Sequence, residues 1–199
     1  VWGDITQIEV KQNIAYLSGG EDFTGFQAVD VSNPAQPRLK SELFTRDVTY
    51  GLFLHNNHAY LGLGTGGMQI LDVSNPSAPK TEGVIDTPGF AVSGAGIETG
   101  KGTDKNYIFL ADGVKGLRSF DVSEPSAPVM KRNVRCPGGE GAHSVHINGN
   151  YAYVCNIHGY RAMQVFDISD PAAPVEVAAV ETGARPEIAF VQGNYAYLA

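Results

Sequence analysis

Two cysteines and two histidines lie close together in the last third of the chain, and their side chains are candidate metal ligands. They are Cys136, His143, Cys155 and His158. Two imidazoles and two thiolates form a ligand set that suits zinc or copper. A two-residue turn at Asn148 and Gly149 would put Cys155 opposite Ala142, and we therefore expect the four side chains to meet at one end of a hairpin. His146, three residues along the strand from His143, is expected to point to the other face.

The two cysteines are also candidates for a disulfide bond. Cysteine pairs in secreted chains form disulfides more often than metal sites. The glycines that follow Pro137 favour a sharp turn, which would bring Cys136 back towards Cys155. We expect the Cys136–Cys155 disulfide in preference to two free thiols or to metal ligation.

A sequence motif that recurs four times along the chain predicts the elements that must position these residues. It begins at Asp30, Asp72, Asp121 and Asp167, reads Asp-Val/Ile-Ser-x-Pro, and carries a second proline three residues later. The interval of about 45 residues, with strand-like sequence between the copies of the motif, is typical of β-propeller blades. Aspartate at the start of such a turn accepts backbone N–H groups. A structural role for these four carboxylates is therefore preferred to calcium ligation.

A second recurring element places an aromatic residue in each unit. These residues are Tyr16, Tyr60, Phe109, Tyr153 and Tyr197, and we expect them to be buried at equivalent depths. Each lies in an apolar run that follows an Asn- or Gly-containing turn and an alternating segment, which predicts a β-hairpin. The chain is thus predicted to be all-β, with four-stranded antiparallel blades in one domain over 1–199. The predicted units are 4–47, 48–88, 89–140 and 141–183, with 184–199 opening a fifth, so about four and a half blades are present.

The combined repeat resembles that of the LVIVD-type propeller proteins. The resemblance rests on the Ala-Tyr hairpin and on the Asp-Val-Ser-x-Pro-x-x-Pro core, and it covers almost the whole chain. It implies a propeller fold and an extracellular, cell-surface or periplasmic location, and it brings no catalytic residues with it. The incomplete fifth unit is expected to continue into further blades of a six- to eight-bladed wheel.

Charge and composition narrow the classes of partner. The chain has 14 basic and 21 acidic residues and a formal net charge of −7, which disfavours binding to nucleic acid phosphates. No segment predicts direct membrane insertion. The loops on the top face, where the inner strands begin, carry a mixed polar and aromatic rim suited to a protein or glycan partner. The rim residues are Arg46, Asp47, Tyr50, Phe90, Glu140, Arg185 and Glu187.

Two functions are compatible with these features. The first is a noncatalytic extracellular propeller that serves as a binding, adhesion or scaffold module and needs no cofactor. The alternative is a metal-dependent redox enzyme, with copper or zinc at a top-face site in the fourth blade.

Overall fold

The computed structural model describes residues 4–20, 25–98, 106–137, 141–158, 160–183 and 185–199. These residues form eighteen β-strands, and none of them is in an α-helix. The described part of the chain therefore contains no helix that is long and apolar enough to cross a lipid bilayer. The predicted all-β class is confirmed.

The strands form four sheets of four strands and one sheet of two. The first two sheets contain β1 (Ile5–Lys11), β2 (Ile14–Gly19), β3 (Gly25–Asp30), β4 (Arg38–Phe44), β5 (Gly51–His55), β6 (His58–Gly62), β7 (Met68–Asp72) and β8 (Lys80–Ile85). The next two contain β9 (Ala91–Glu98), β10 (Asn106–Asp112), β11 (Leu117–Asp121), β12 (Val129–Val134), β13 (Ala142–Asn148), β14 (Tyr151–Asn156), β15 (Met163–Asp167) and β16 (Val175–Val180). The fifth sheet pairs β17 (Ala189–Gln192) with β18 (Tyr195–Leu198).

Each four-stranded sheet is an antiparallel meander whose strands pair in chain order. In the first, second and fourth sheets, and in the two-stranded fifth sheet, the hairpin between the first two strands is closed by a two-residue turn whose first residue has a positive φ. This residue is Gln12, Asn56, Gly149 or Gly193, with φ between 52° and 59°. Glycine adopts that conformation without steric cost, whereas glutamine and asparagine are held in it by the hairpin.

The four recurring aspartates cap the turn that follows the third strand. Oδ1 of Asp30 accepts the Ser32 backbone N–H at 2.9 Å, and Asp72 and Asp167 accept the N–H two residues later at 2.8 Å. Asp121 makes the same bond at 3.1 Å. Hydrogen bonds from Ser32 lower the pKa of Asp30, because they stabilise the ionised carboxylate. This geometry agrees with the structural role that was predicted for the aspartates of the repeated motif.

The hydrophobic core lies between consecutive sheets rather than inside any one of them. Tyr16 and Phe26 of the first sheet pack on Leu61 of the second, and Tyr60 of the second packs in a cluster with Ile108 of the third. The innermost strands β1, β5, β9, β13 and β17 contact one another in that order. The sheets are thus arranged as the blades of a propeller around an axis that the inner strands line.

The expectation that the five aromatic residues are equally buried is wrong for the last two. Tyr16, Tyr60 and Phe109 are almost fully buried, whereas Tyr153 is half-buried and Tyr197 is 58% exposed. These side chains face the next sheet along the chain. Tyr153 meets a sheet of only two strands, and in the described structure Tyr197 has no further sheet to face.

Candidate functional site

A concave depression of about 590 Å³ lies on the top face of the described structure. We call it the top depression. Its walls come from loops and inner-strand starts of the second, third and fourth blades. The lining residues are Tyr50, Thr65, Pro88, Gly89, Phe90, Val92, Gly113, Val114, Gly141, Ala142, His143, Ile157 and His158. Most of these present carbon atoms, so the depression is an apolar surface with two imidazoles at one side.

Backbone hydrogen bonds between neighbouring blades build the floor of the top depression. Gly64 exchanges two hydrogen bonds with Ala91 of the next blade, at 2.9 and 3.0 Å. Gly113 does the same with Ala142, at 3.1 and 3.0 Å. Both glycines have positive φ values, 56° and 54°, which residues other than glycine rarely adopt. The loop after each second strand is thereby fixed to the following blade.

Two aromatic rings form the rim on the side of the second and third blades. The rings of Tyr50 and Phe90 meet edge to face, with centroids 4.7 Å apart. They lean over Gly64, where a Cβ atom would stand 2.8 Å from the Tyr50 ring and 2.9 Å from the Phe90 ring. Tyr50 is still 41% exposed and Phe90 37% exposed. The rings therefore have apolar surface left for a partner.

The two histidines form the opposite wall. Nδ1 of His143 lies 3.0 Å from the backbone carbonyl oxygen of Glu187, so Nδ1 carries the proton and donates it. Nε2 is the ring nitrogen that this hydrogen bond leaves free to face a partner. The His158 ring lies over Gly141, where a Cβ atom would come within 3.1 Å of His158 Cδ2. With its φ of 121°, Gly141 therefore occupies a position under this imidazole that disfavours any other residue.

A buried ion pair holds the Phe90 loop in place beneath this surface. The Asp112 carboxylate accepts a hydrogen bond from the Thr87 hydroxyl at 2.8 Å and one from Arg118 Nε at 2.5 Å. Burial raises the pKa of Asp112, although the Thr87 hydroxyl and the Arg118 charge act against this change. Gly89 passes so close that its Cβ would lie 2.5 Å from the same carboxyl group.

The predicted Cys136–Cys155 disulfide is wrong, because both cysteines are free and buried. Cys136 belongs to the hydrophobic cluster between the third and fourth blades, which also contains Val154. Cys155 follows Val154 along β14 and so points to the opposite side of the sheet. There it packs with Met163 and Ala189, between the fourth and fifth sheets. Burial raises the pKa of Cys136 to about 12 and also raises that of Cys155, so both are neutral thiols.

The predicted four-ligand metal site is not assembled. His143 and His158 both line the top depression, but the fourth sheet separates the two thiols from each other. Within the described ranges no group of three or more His, Cys, Asp and Glu side chains is placed to hold a metal ion.

The predicted register of this hairpin was also displaced. Its turn lies at Gly149 and Asn150, one residue later than expected, and β13 has a bulge between Ala142 and Ser144. Cys155 therefore lies opposite Ser144 rather than Ala142. The bulge also turns His143 towards the fifth sheet, the side on which the His146 ring contacts Phe190, so the expected division of the two histidines between opposite faces is wrong.

The predicted rim is present only in part. Tyr50 and Phe90 line the top depression, and Glu187 contributes its carbonyl oxygen to His143. Arg46 instead bonds to the Gly66 carbonyl and, at 3.2 Å, to Asp86. Glu140 lies outside the described residues. The apolar lining residues Val92, Val114 and Ile157 were not predicted, although Val114 directly follows Gly113 in the loop after a second strand.

Comparison with known sequences identifies the repeat. The sequence model of the LVIVD repeat matches residues 2–45, 49–87, 104–136 and 139–182. These four segments together cover well over half of the chain, and each contains one copy of the recurring aspartate motif. No protein of established annotation matches this sequence.

Solved structures support the same architecture. A functionally unknown protein from Desulfotomaculum acetoxidans has a TM-score of 0.77 at 14% identity, over 96% of this chain and 61% of that one. A protein from Lactobacillus plantarum has a TM-score of 0.76 at 14% identity, over 92% and 59%. The computationally designed Ika8 protein has a TM-score of 0.67 at 8% identity, over 96% and 54%. This chain thus spans between half and two thirds of the length of these three, and identities this low show the fold alone.

Proposed function

Since this chain belongs to the LVIVD-repeat family, we propose that it is a noncatalytic extracellular or cell-surface binding module whose binding site is the top depression. The family resemblance supports the compartment, and the depression supports the binding role. Its volume of about 590 Å³ lies within the range of sites that take small molecules or single side chains.

The chemistry of the lining favours a protein partner over a glycan. Tyr50, Phe90, Val92 and Val114 offer mainly carbon surface, and a sugar would need polar groups at many positions to bond its hydroxyls. The two imidazoles supply a few directed hydrogen bonds at one wall. A large apolar side chain on a partner's loop, with a polar group beside it, matches this arrangement.

The redox alternative receives no comparable support. It depended on Cys136, His143, Cys155 and His158 meeting around one copper or zinc ion. The two thiols instead lie in separate hydrophobic clusters on either side of the fourth sheet. We therefore propose a role that needs no cofactor.

The test uses the amide of N-acetyltryptophan as a probe for an apolar side chain. In NMR titrations of the isotope-labelled protein, we expect the methyl signals of Val92, Val114 and Ile157 to shift in a saturable manner. A set of linear oligosaccharides, titrated in the same way, should leave these signals in place. Shifts with oligosaccharides alone would favour a glycan partner over a protein, and shifts with neither probe would contradict the proposal.

A matched pair of variants locates the binding. Val114 lies in the top depression and is 70% exposed, so V114D adds a charge there with little effect on folding. Val84 lies on an outer strand and is 42% exposed, which makes V84D the control. We expect V114D to abolish the shifts and V84D to retain them.

A further inference from the structure

The outer strand of the fourth blade differs from the other outer strands in its charge. β4 carries Lys40, β8 carries Lys80 and β12 carries Lys131, whereas β16 reads Val-Glu-Val-Ala-Ala-Val. The single charged side chain of β16, Glu176, is already bound by Arg161 and by Gln164, the latter at 3.1 Å. This strand therefore has no lysine or arginine.

The outer-strand lysines of the first and third blades have a defined partner. Nζ of Lys40 lies 3.7 Å from Oδ2 of Asp30, and Nζ of Lys131 lies 3.3 Å from Oδ2 of Asp121. In both of these blades the lysine stands two residues after the residue that pairs with the turn aspartate, whereas in the second blade that position is Glu82. In the fourth blade the residue that pairs with Asp167 is Val175, and the residue two positions later is Val177.

The turn aspartate of the fourth blade consequently lacks a cation. Ser169 bonds Oδ1 of Asp167 through its backbone N–H at 2.8 Å and its hydroxyl at 2.6 Å. Among the residues that the structure describes, no lysine or arginine forms an ion pair with Asp167. A shallow cavity of about 390 Å³ lies beside it, bounded by Asp170, Val175 and Val177.

β16 is also an unprotected sheet edge. It is the last strand of its sheet, so one row of its backbone N–H and C=O groups has no strand partner. Val175 is 60% exposed and Val177 54% exposed. Lysine on an edge strand prevents pairing with other chains, and β16 is without that protection.

We propose that β16 is a docking edge for an extended segment of a basic partner protein, which adds a fifth strand to the fourth blade and places a lysine or arginine against Asp167 and Asp170. Backbone hydrogen bonds would supply affinity in this mode, and alternate side chains would supply specificity. The carboxylates and the net charge of −7 complement a basic segment. A second copy of this chain fits poorly, because it would bring its own Asp167, Asp170 and Glu176 to the same edge.

The proposal is tested by fluorescence anisotropy with a short labelled peptide of alternating lysine and valine. We expect saturable binding to the unmodified protein, and V177K to weaken it about tenfold by restoring the intramolecular cation and the edge protection. V84K makes the same substitution on the outer strand β8 and should leave the affinity unchanged. D167N keeps the oxygen that caps the turn but removes the charge, so the remaining binding should depend less on salt.

Two further probes identify the mode of binding. A peptide methylated on the amides of one edge cannot pair as a strand, and an alternating glutamate–valine peptide carries the wrong charge; neither should bind. The proposal is overturned if the lysine–valine peptide does not bind, if V177K binds it as tightly as V84K does, or if the methylated peptide binds equally well. It is also overturned if sedimentation shows a dimer of the unmodified protein that V177K dissociates, since the occupant is then a second copy. Circular dichroism of V177K establishes that any loss of binding occurs in a folded protein.

Discussion

Arg118 stands where the other three complete blades have a glutamine, and Asp112 is its buried partner. The glutamines are Gln27, Gln69 and Gln164, each three residues before a turn aspartate and each bonded to a side chain of the outer strand. Arg118 donates through Nη1 to the Met130 sulfur of the outer strand, at 3.1 Å, and through Nε to the Asp112 carboxylate at the end of β10. The third blade thus has a charged side chain where the others have an amide, and its ion pair also holds the loop of Phe90 through Thr87.

Removal of Arg118 should strongly destabilise the protein. R118Q leaves the Asp112 carboxylate buried without its cation, which costs about 3–5 kcal/mol in the free energy of unfolding. The double variant R118Q/D112N removes both charges and should recover part of that loss. Urea denaturation gives the free energy of unfolding of the unmodified protein, of R118Q and of R118Q/D112N. As a control, K40Q removes a partly exposed ion pair and should cost less than about 1 kcal/mol.

Acid should destabilise the fold through the turn aspartates. Hydrogen bonds from Ser74 lower the pKa of Asp72 below its ordinary value of 3.8, so this carboxylate stabilises the folded state when it is ionised. That contribution is complete above the ordinary pKa and is lost as the pH falls through the lowered one. D72N keeps the capping oxygen but cannot titrate, so its unfolding free energy should fall less steeply with acid than that of the unmodified protein. Equal slopes in urea titrations across this range would contradict the assignment.

The turn at Gln12 should accept glycine with a gain in stability. Its φ of 56° is strained for glutamine and costs glycine nothing, so Q12G should raise the free energy of unfolding by less than about 1 kcal/mol. The adjacent Asn13 has no positive φ, and N13G should give no gain. Thermal unfolding of the two variants distinguishes them, and an equal shift in both would show that the turn conformation is not the cause.

Both thiols should be present and protected in the native protein. Burial of Cys136 and Cys155 predicts slow alkylation by iodoacetamide under native conditions and complete reaction after unfolding in the absence of reductant. Mass spectrometry should then show two added groups. An unfolded, unreduced protein that gains none would contain the disulfide that the structure lacks.

The sequence predicted the repeating architecture well because its signals are local. An aspartate that accepts the N–H two residues later, a proline that fixes φ, and a turn between alternating segments all act within a few residues. The blade-forming strands follow from such signals. The site depended instead on the position of one hairpin turn and one bulge. Moving the turn by one residue changes every cross-strand partner by two residues, and a bulge changes the face on which a side chain lies. For this reason Cys155 was assigned to the wrong neighbour.

The burial of individual residues was predictable only where the neighbouring sheet is complete. Tyr60 and Tyr197 have the same sequence context, yet one is almost fully buried and the other 58% exposed. The apolar lining of the top depression was missed for a related reason. Val92 lies in β9, whereas Val114 and Ile157 lie in loops after two other strands, and only the packing of blade against blade brings them together.

Each hydrophobic cluster joins one sheet to the next sheet in chain order, and this arrangement has a consequence for synthesis. Every sheet after the first finds its partner among residues that have already left the ribosome. Folding can therefore proceed from the amino terminus, each newly emerged meander docking on the one before it. As each new meander emerges, the apolar face that awaits the following sheet is that of the most recent one, so a translation pause between repeats would leave that face exposed until the next repeat is complete.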